Sequence, residues 1–235
     1  FAAAVALEPL RDLAVFHNGR VKIMDTLARE TVEQLTGRDR YFDLGAPDDD
    51  GNRRKLKYDP VFSLVDLAID PGHYVNKPLL TIGYLPLRRS VLEAAFDDDK
   101  ASYDAWMRTT KVSPAMAASF ADDLWRRYES QEPYRNALNR LDGRLQLFER
   151  SIGNWLLVAP ESVTDEWHHL GEYTADTELG GLTRELGNAW RAGDAPAVNS
   201  AVAQLADLGQ SNVDGTVSTR GTFAGLHLGL EIRVA

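Results

Sequence analysis

The sequence predicts a mainly α fold: a single domain of helical hairpins with a small β-hairpin near the N-terminus. Three observations predict it. Apolar residues recur three and four apart over two long tracts, residues 113–129 and 133–153. A second pair of helical tracts is divided by Gly193-Asp194. Close to the start, Asn18-Gly19 stands between two short apolar runs, and this dipeptide is preferred in a tight type I′ reversal.

Taken in order, the opening "FAAAVALEPL" reads as the stub of a signal peptide or membrane helix, with an ordinary first helix or strand as the alternative. "LAVFHNGRVKI" forms the hairpin. Asp25 or Thr26 then caps a helix that runs to about Thr36, with Leu27, Ala28, Val32 and Leu35 as its buried stripe and Gly37 as its stop. A polar loop follows from Gly37 to Tyr58, with a turn signal at Asp49-Asp50-Gly51-Asn52. In "DPVFSLVDLAIDP" Asp59 caps a short helix, Pro60 sits at its first position and Pro71 marks its end. "KPLLTIGY" is a short extended run, and "PLRRSVLEAAFDDD" is a helix opened by Pro86.

The central hairpin is the clearest part. Ser113 caps a helix with Pro114 at its first position. Met116, Phe120, Leu124 and Tyr128 lie four apart on that helix, beside Ala117, Ala121 and Trp125. Its partner carries Tyr134, Leu138, Leu141, Leu145, Phe148 and Ile152. "WLLVAP" is extended, and "ESVTDEWHHLGEY" reads as loop with a turn of helix. The second hairpin spans "TELGGLTRELGNAWRAGD" and "APAVNSAVAQLADLGQ". The tail is glycine-rich and then apolar. No repeat or linker appears, so one domain covers residues 1–235: the stub at 1–10, hairpin and helices over 13–160, the second helical hairpin over 161–210, and the tail at 211–235.

Composition narrows the function classes. The 235 residues are 44% hydrophobic and 26% charged, enough to bury a proper core. A net charge of −9 argues against a nucleic-acid binder, because phosphate neutralisation needs a basic surface. The acidic runs Asp48–Asp50 and Asp97–Asp99 lack the alternation, glycine and distal Glu of a calcium loop, and read as solvated loop or helix-end charges. With no cysteine, disulfides, zinc–cysteine sites and thiol chemistry are excluded. No run of 18 apolar residues occurs, so nothing in this segment spans a bilayer.

No catalytic signature appears: no GxSxG, HExxH, GxxxxGK[ST], or GxGxxG after a strand. His168 and His169 are adjacent and diverge on either a helix or a strand, which makes a poor chelating pair. His17, His73 and His227 are scattered, and no spacing selects an axial haem ligand. The dense chemistry lies in residues 16–37. Arg20 and Lys22 share one face of a strand, and Asp25 opens the following helix. An Arg20–Asp25 or Lys22–Asp25 pair would lock hairpin to helix. The bland reading is such a joint, and the functional one is a basic edge that meets an anionic group.

Gly19-Arg20-Val21-Lys22-Ile23-Met24-Asp25-Thr26-Leu27-Ala28-Arg29-Glu30 resembles the "GR(I/V)KPLDTLA.E" signature of system II cytochrome c biogenesis proteins, the fused ResB/CcsA-type haem-handling membrane proteins. Ile23 and Met24 stand where that signature has proline and leucine. "YDPVFSLVDLAIDPGHYVNKPLLTIGYLPLR", "VSPAMAASFADDLW" and "AWRAGDAPAVNSAVAQL" resemble later family segments in the right order. The resemblance implies an extracytoplasmic domain on the periplasmic face of a bacterial membrane, held by flanking membrane helices outside this chain. It implies a part in haem delivery to apocytochrome c by docking partners rather than by catalysis, with haem entering through the parent protein and no histidine of this segment assigned as its ligand. Gly19, Arg20, Lys22, Asp25 and Thr26 are carried over as signature residues. Two other classes compete: a carboxylate-based hydrolase, and a helical scaffold unrelated to haem.

Overall fold

The computed structural model describes residues 1–47, 53–151, 157–158 and 167–218. It is 64% helical, with only small antiparallel β-hairpins among the described residues, so the mainly α expectation holds. The chain divides into two compact units, Phe1–Leu27 with Asn154–Ala235, and Ala28–Gly153.

The first unit holds α1 (Glu8–Arg11), β1 (Ala14–His17), β2 (Arg20–Ile23) and the start of α2 (Met24–Thr36). It also holds β7 (Leu157–Val158), β8 (His168–His169), α8 (Glu178–Ala192) and α9 (Ala195–Ser218). The strands form one antiparallel sheet in the order β2-β1-β7-β8, which leaves β2 on an edge. The register His17↔Arg20 makes Asn18-Gly19 a two-residue loop, and both residues have positive φ, as a type I′ turn demands. Thr177 caps α8 by accepting from the Gly180 amide at 3.1 Å, and Gly193, left-handed at φ 69°, closes it. The opening residues pack on the α8–α9 hairpin. Phe1 meets Trp190 edge-on at 5.2 Å, and Ala6 N donates to Asn199 Oδ1 at 2.7 Å. One position there requires glycine: a Cβ on Gly180 would lie 1.9 Å from the Thr174 carbonyl oxygen.

The second unit carries the rest of α2, then β3 (Phe42–Pro47), β4 (Arg53–Lys57), α3 (Pro60–Ile69) and β5 (Leu80–Thr81). After these come α4 (Leu85–Phe96), α5 (Lys100–Met107), β6 (Lys111–Val112), α6 (Pro114–Tyr128) and α7 (Glu132–Ser151). The predicted caps are in place: Asp59 accepts from the Val61 amide, and Ser113 from that of Met116. Leu35, Leu80, Leu87, Leu92 and Leu138 are at most 1% exposed, each contributing about 1.5–3 kcal/mol of apolar burial. Tyr41, Tyr58, Phe62 and Tyr74 extend this core as a chain of rings 5.3–5.8 Å apart.

Two expectations are corrected, and two elements are added to the reading. Helix α2 begins at Met24, so Asp25 and Thr26 lie in its first turn rather than at its cap. The stretch read as a polar loop contains the antiparallel pair β3–β4; its lysines and arginines hid a strand pattern, and its turn signal lies outside the described residues. Helix α5 went unread because it follows an acidic run; Asp99 caps it by accepting from the Ser102 amide. His168 and His169 form a two-residue strand before a 3₁₀ turn, Leu170–Glu172. The tail beyond Ser218 and Ile152 lie outside the described residues.

Candidate functional site

Two places gather cations. The first is the hairpin edge of the first unit. Gly19, at φ 74°, is exposed at the reversal, Arg20 is exposed beside it, and Lys22 is half-buried two residues on. The strand therefore presents both cations on the same side of the sheet's edge. Asp25 accepts from Arg11 Nη1, and Arg11 Nε lies 3.6 Å from Glu8, so the anchor of this joint reaches α1, a partner that sequence reasoning did not name. The Asp25 and Arg11 side chains are 20% and 26% exposed, which keeps the pair out of full solvent screening. Thr26 is half-buried, and Met24 is fully enclosed where the signature has leucine.

The second place is a cavity of about 790 Å³ in the second unit. Among the described residues its charged lining is Arg38, Lys55, Lys77, Arg108 and Lys111 against one carboxylate, Asp43. Each arrives by its own local route. Arg38 follows the end of α2, where Thr36 Oγ1 donates to its carbonyl at 2.9 Å. Lys55 comes from β4 and stands 4.4 Å from the centre of the Phe42 ring. Lys77 Nζ lies 3.0 Å from Asp43 Oδ2, and His73 Nε2 lies 3.6 Å from the same oxygen. Lys111 is placed by the β5–β6 pairing, Thr81↔Lys111, and by its amide donating to Thr109 Oγ1 at 3.2 Å.

Lys111 is the unusual member. It is only 8% exposed, and its Nζ stands 5.7 Å from the centre of the Tyr41 ring. Burial, with the charges of Arg38 and Lys55, pulls its amine down from 10.5 to about 8. The Tyr41 hydroxyl is buried without a hydrogen-bond partner among the described residues, and burial with the Asp43 charge holds its phenol well above the ordinary range. Thr110 sits at φ 61°, a left-handed backbone that a β-branched residue rarely adopts.

Sequence reasoning missed the cavity. Its cations come from four separate stretches between residues 38 and 111, and only folding unites them. The carboxylate that lines it, Asp43, is bonded to Lys77. Among the described residues no cluster of three potential metal ligands occurs, and no helix is long and apolar enough to cross a membrane. Comparison with family models, curated proteins and solved structures finds no match for this chain.

Proposed function

We propose that this chain is an extracytoplasmic domain of a system II cytochrome c assembly protein, held at the periplasmic face of a bacterial membrane by helices outside this sequence. It docks partners, apocytochrome c or other assembly components, while haem is handled by the parent protein. One observation carries the reading. The stretch that resembles the family signature, Gly19 to Thr26, folds as one hairpin–helix joint on a sheet edge, with Arg20 exposed, Lys22 half-buried and Asp25 tied back to Arg11. Charges at the rim of an interface steer association and fix register more than they add affinity. An edge strand also offers unpaired backbone to an extended partner segment.

The test is charge reversal in the full-length protein. Arg20→Glu with Lys22→Glu abolishes or strongly reduces cytochrome c maturation in cells, while the same variant of this chain keeps its circular dichroism and melting temperature. Normal maturation with the protein present at normal level overturns the reading.

A further inference from the structure

We propose that the basic cavity of the second unit is a binding site for a small organic polyanion, a molecule carrying at least two phosphate or carboxylate groups on a compact body. The proposal uses none of the residues from Gly19 to Thr26 and stands apart from the docking reading.

The charge balance comes first. Among the described residues, five cations and one carboxylate line this cavity in a chain of net charge −9. Asp43 is already bonded to Lys77. Among the described residues, Arg38, Lys55, Arg108 and Lys111 have no carboxylate within ion-pair distance. Arg38, Lys55 and Arg108 are exposed, so solvent screens their mutual repulsion, while the charges of Arg38 and Lys55 repel the enclosed Lys111 ammonium. A singly charged ligand would leave most of that repulsion standing, and a polyanion relieves it.

Burial is the second argument. Lysine is almost never enclosed without a partner, yet Lys111 is 8% exposed. Cation–π contact with Tyr41 is worth about 0.5–2 kcal/mol and does not match the cost of desolvating an ammonium. The residue before it, Thr110, holds a left-handed backbone that costs about 1–3 kcal/mol. Strain and a desolvated cation, adjacent in the chain and on the same wall, are features that stability alone does not favour.

Shape and lining name the ligand class. A volume of about 790 Å³ suits a small molecule and excludes a folded partner. Phe42 and Trp106 supply an apolar wall, and Thr109 and Asn76 supply neutral hydrogen-bonding groups. Guanidinium groups from Arg38 and Arg108 can each grip a phosphate or carboxylate with two parallel bonds.

Calorimetric titration of the whole chain at low salt, near neutral pH, tests this with pyrophosphate, citrate and, as a monovalent control, acetate. Pyrophosphate or citrate binds with a dissociation constant below about 100 μM, weakening as salt rises, while acetate binds at least about tenfold more weakly. The tighter of the two distinguishes a phosphate ligand from a carboxylate one. Arg38→Gln with Lys111→Met lowers that affinity by at least about tenfold. Should that variant not fold, Lys55→Gln with Arg108→Gln alters two exposed side chains and reads the same loss. No binding of either polyanion at about 1 mM, or affinity unchanged in a folded variant, overturns the proposal.

Discussion

The hairpin edge and the basic cavity both concentrate positive charge on an acidic chain, but at different energetic cost. At the edge, Arg20 points into water and Asp25 is held by Arg11. Ordinary turn and strand preferences build that edge, and it asks little of the fold. In the cavity, Lys111 is enclosed, Thr110 is strained, and several cations face a shared space. Exposed charge is available to any passing partner and is tuned by salt. Enclosed charge opposes folding until a counter-charge arrives, so it marks the place where a ligand would change stability most.

The sharpest way to test that contrast is to remove the enclosed cation. Lys111→Met substitutes a flexible apolar chain at a position that is only 8% exposed. The gap between about 8 and the ordinary 10.5 corresponds to about 3 kcal/mol against the folded state. Below pH 8 both folded and unfolded chains keep the proton, and the whole penalty applies. Between about 8 and 10.5 the unfolded chain binds more protons than the folded one, so stability rises with pH through that window. The variant is therefore more stable than the parent by about 2–3 kcal/mol at pH 7 in denaturant titrations, and the difference shrinks as the pH passes 8 toward 10.5. A loss of stability at pH 7 would erase the distinction between the two regions. The Arg20→Gln control at the edge shifts stability by no more than about 0.5 kcal/mol.

Legibility follows the same divide. The edge was visible because its information is local: Asn18-Gly19 dictates the reversal, alternation puts Arg20 and Lys22 together, and the helix stripe begins five residues later, at Leu27. The capped helices were visible for the same reason, since Asp59 and Ser113 act within three residues of themselves. The cavity was hidden because its members belong to different elements, one of them on a strand that the sequence disguised as loop. A net charge of −9 hid it further, since a total carries no spatial information. Even the edge kept one secret, the Arg11 anchor, because Arg11 and Asp25 are 14 residues apart.

The next largest effect belongs to the edge's own foundations. Gly19→Val forces a β-branched residue to φ 74°, and Arg11→Ala removes the Arg11–Asp25 bond in a partly buried setting. Each destabilises the first unit by about 1–2 kcal/mol, read as faster amide exchange in β1 and β2, with the melting temperature following. The interior glycine of that unit is less forgiving. Gly180→Ala pushes a methyl into the Thr174 carbonyl and costs at least as much, although alanine is the better helix former. An alanine tolerated there would show that the backbone at Thr174 yields easily.

The smallest effect separates strain from charge inside the cavity. Thr110 donates Oγ1 to the Thr109 carbonyl at 2.6 Å, and its own carbonyl accepts from the Ile82 amide at 3.1 Å. The second bond is main-chain and survives substitution, so a glycine there keeps the β5–β6 register and adopts φ 61° without a Cβ penalty. Against that gain stand the lost hydroxyl bond and the added freedom of glycine in the unfolded chain. Thr110→Gly therefore stabilises by about 0.5–1 kcal/mol while leaving all five cations in place, and polyanion affinity stays within about twofold of the parent. Should affinity instead fall about tenfold with stability raised, the left-handed turn is itself part of the site, holding Lys111 at the angle the ligand needs, and strain and charge there act as one device.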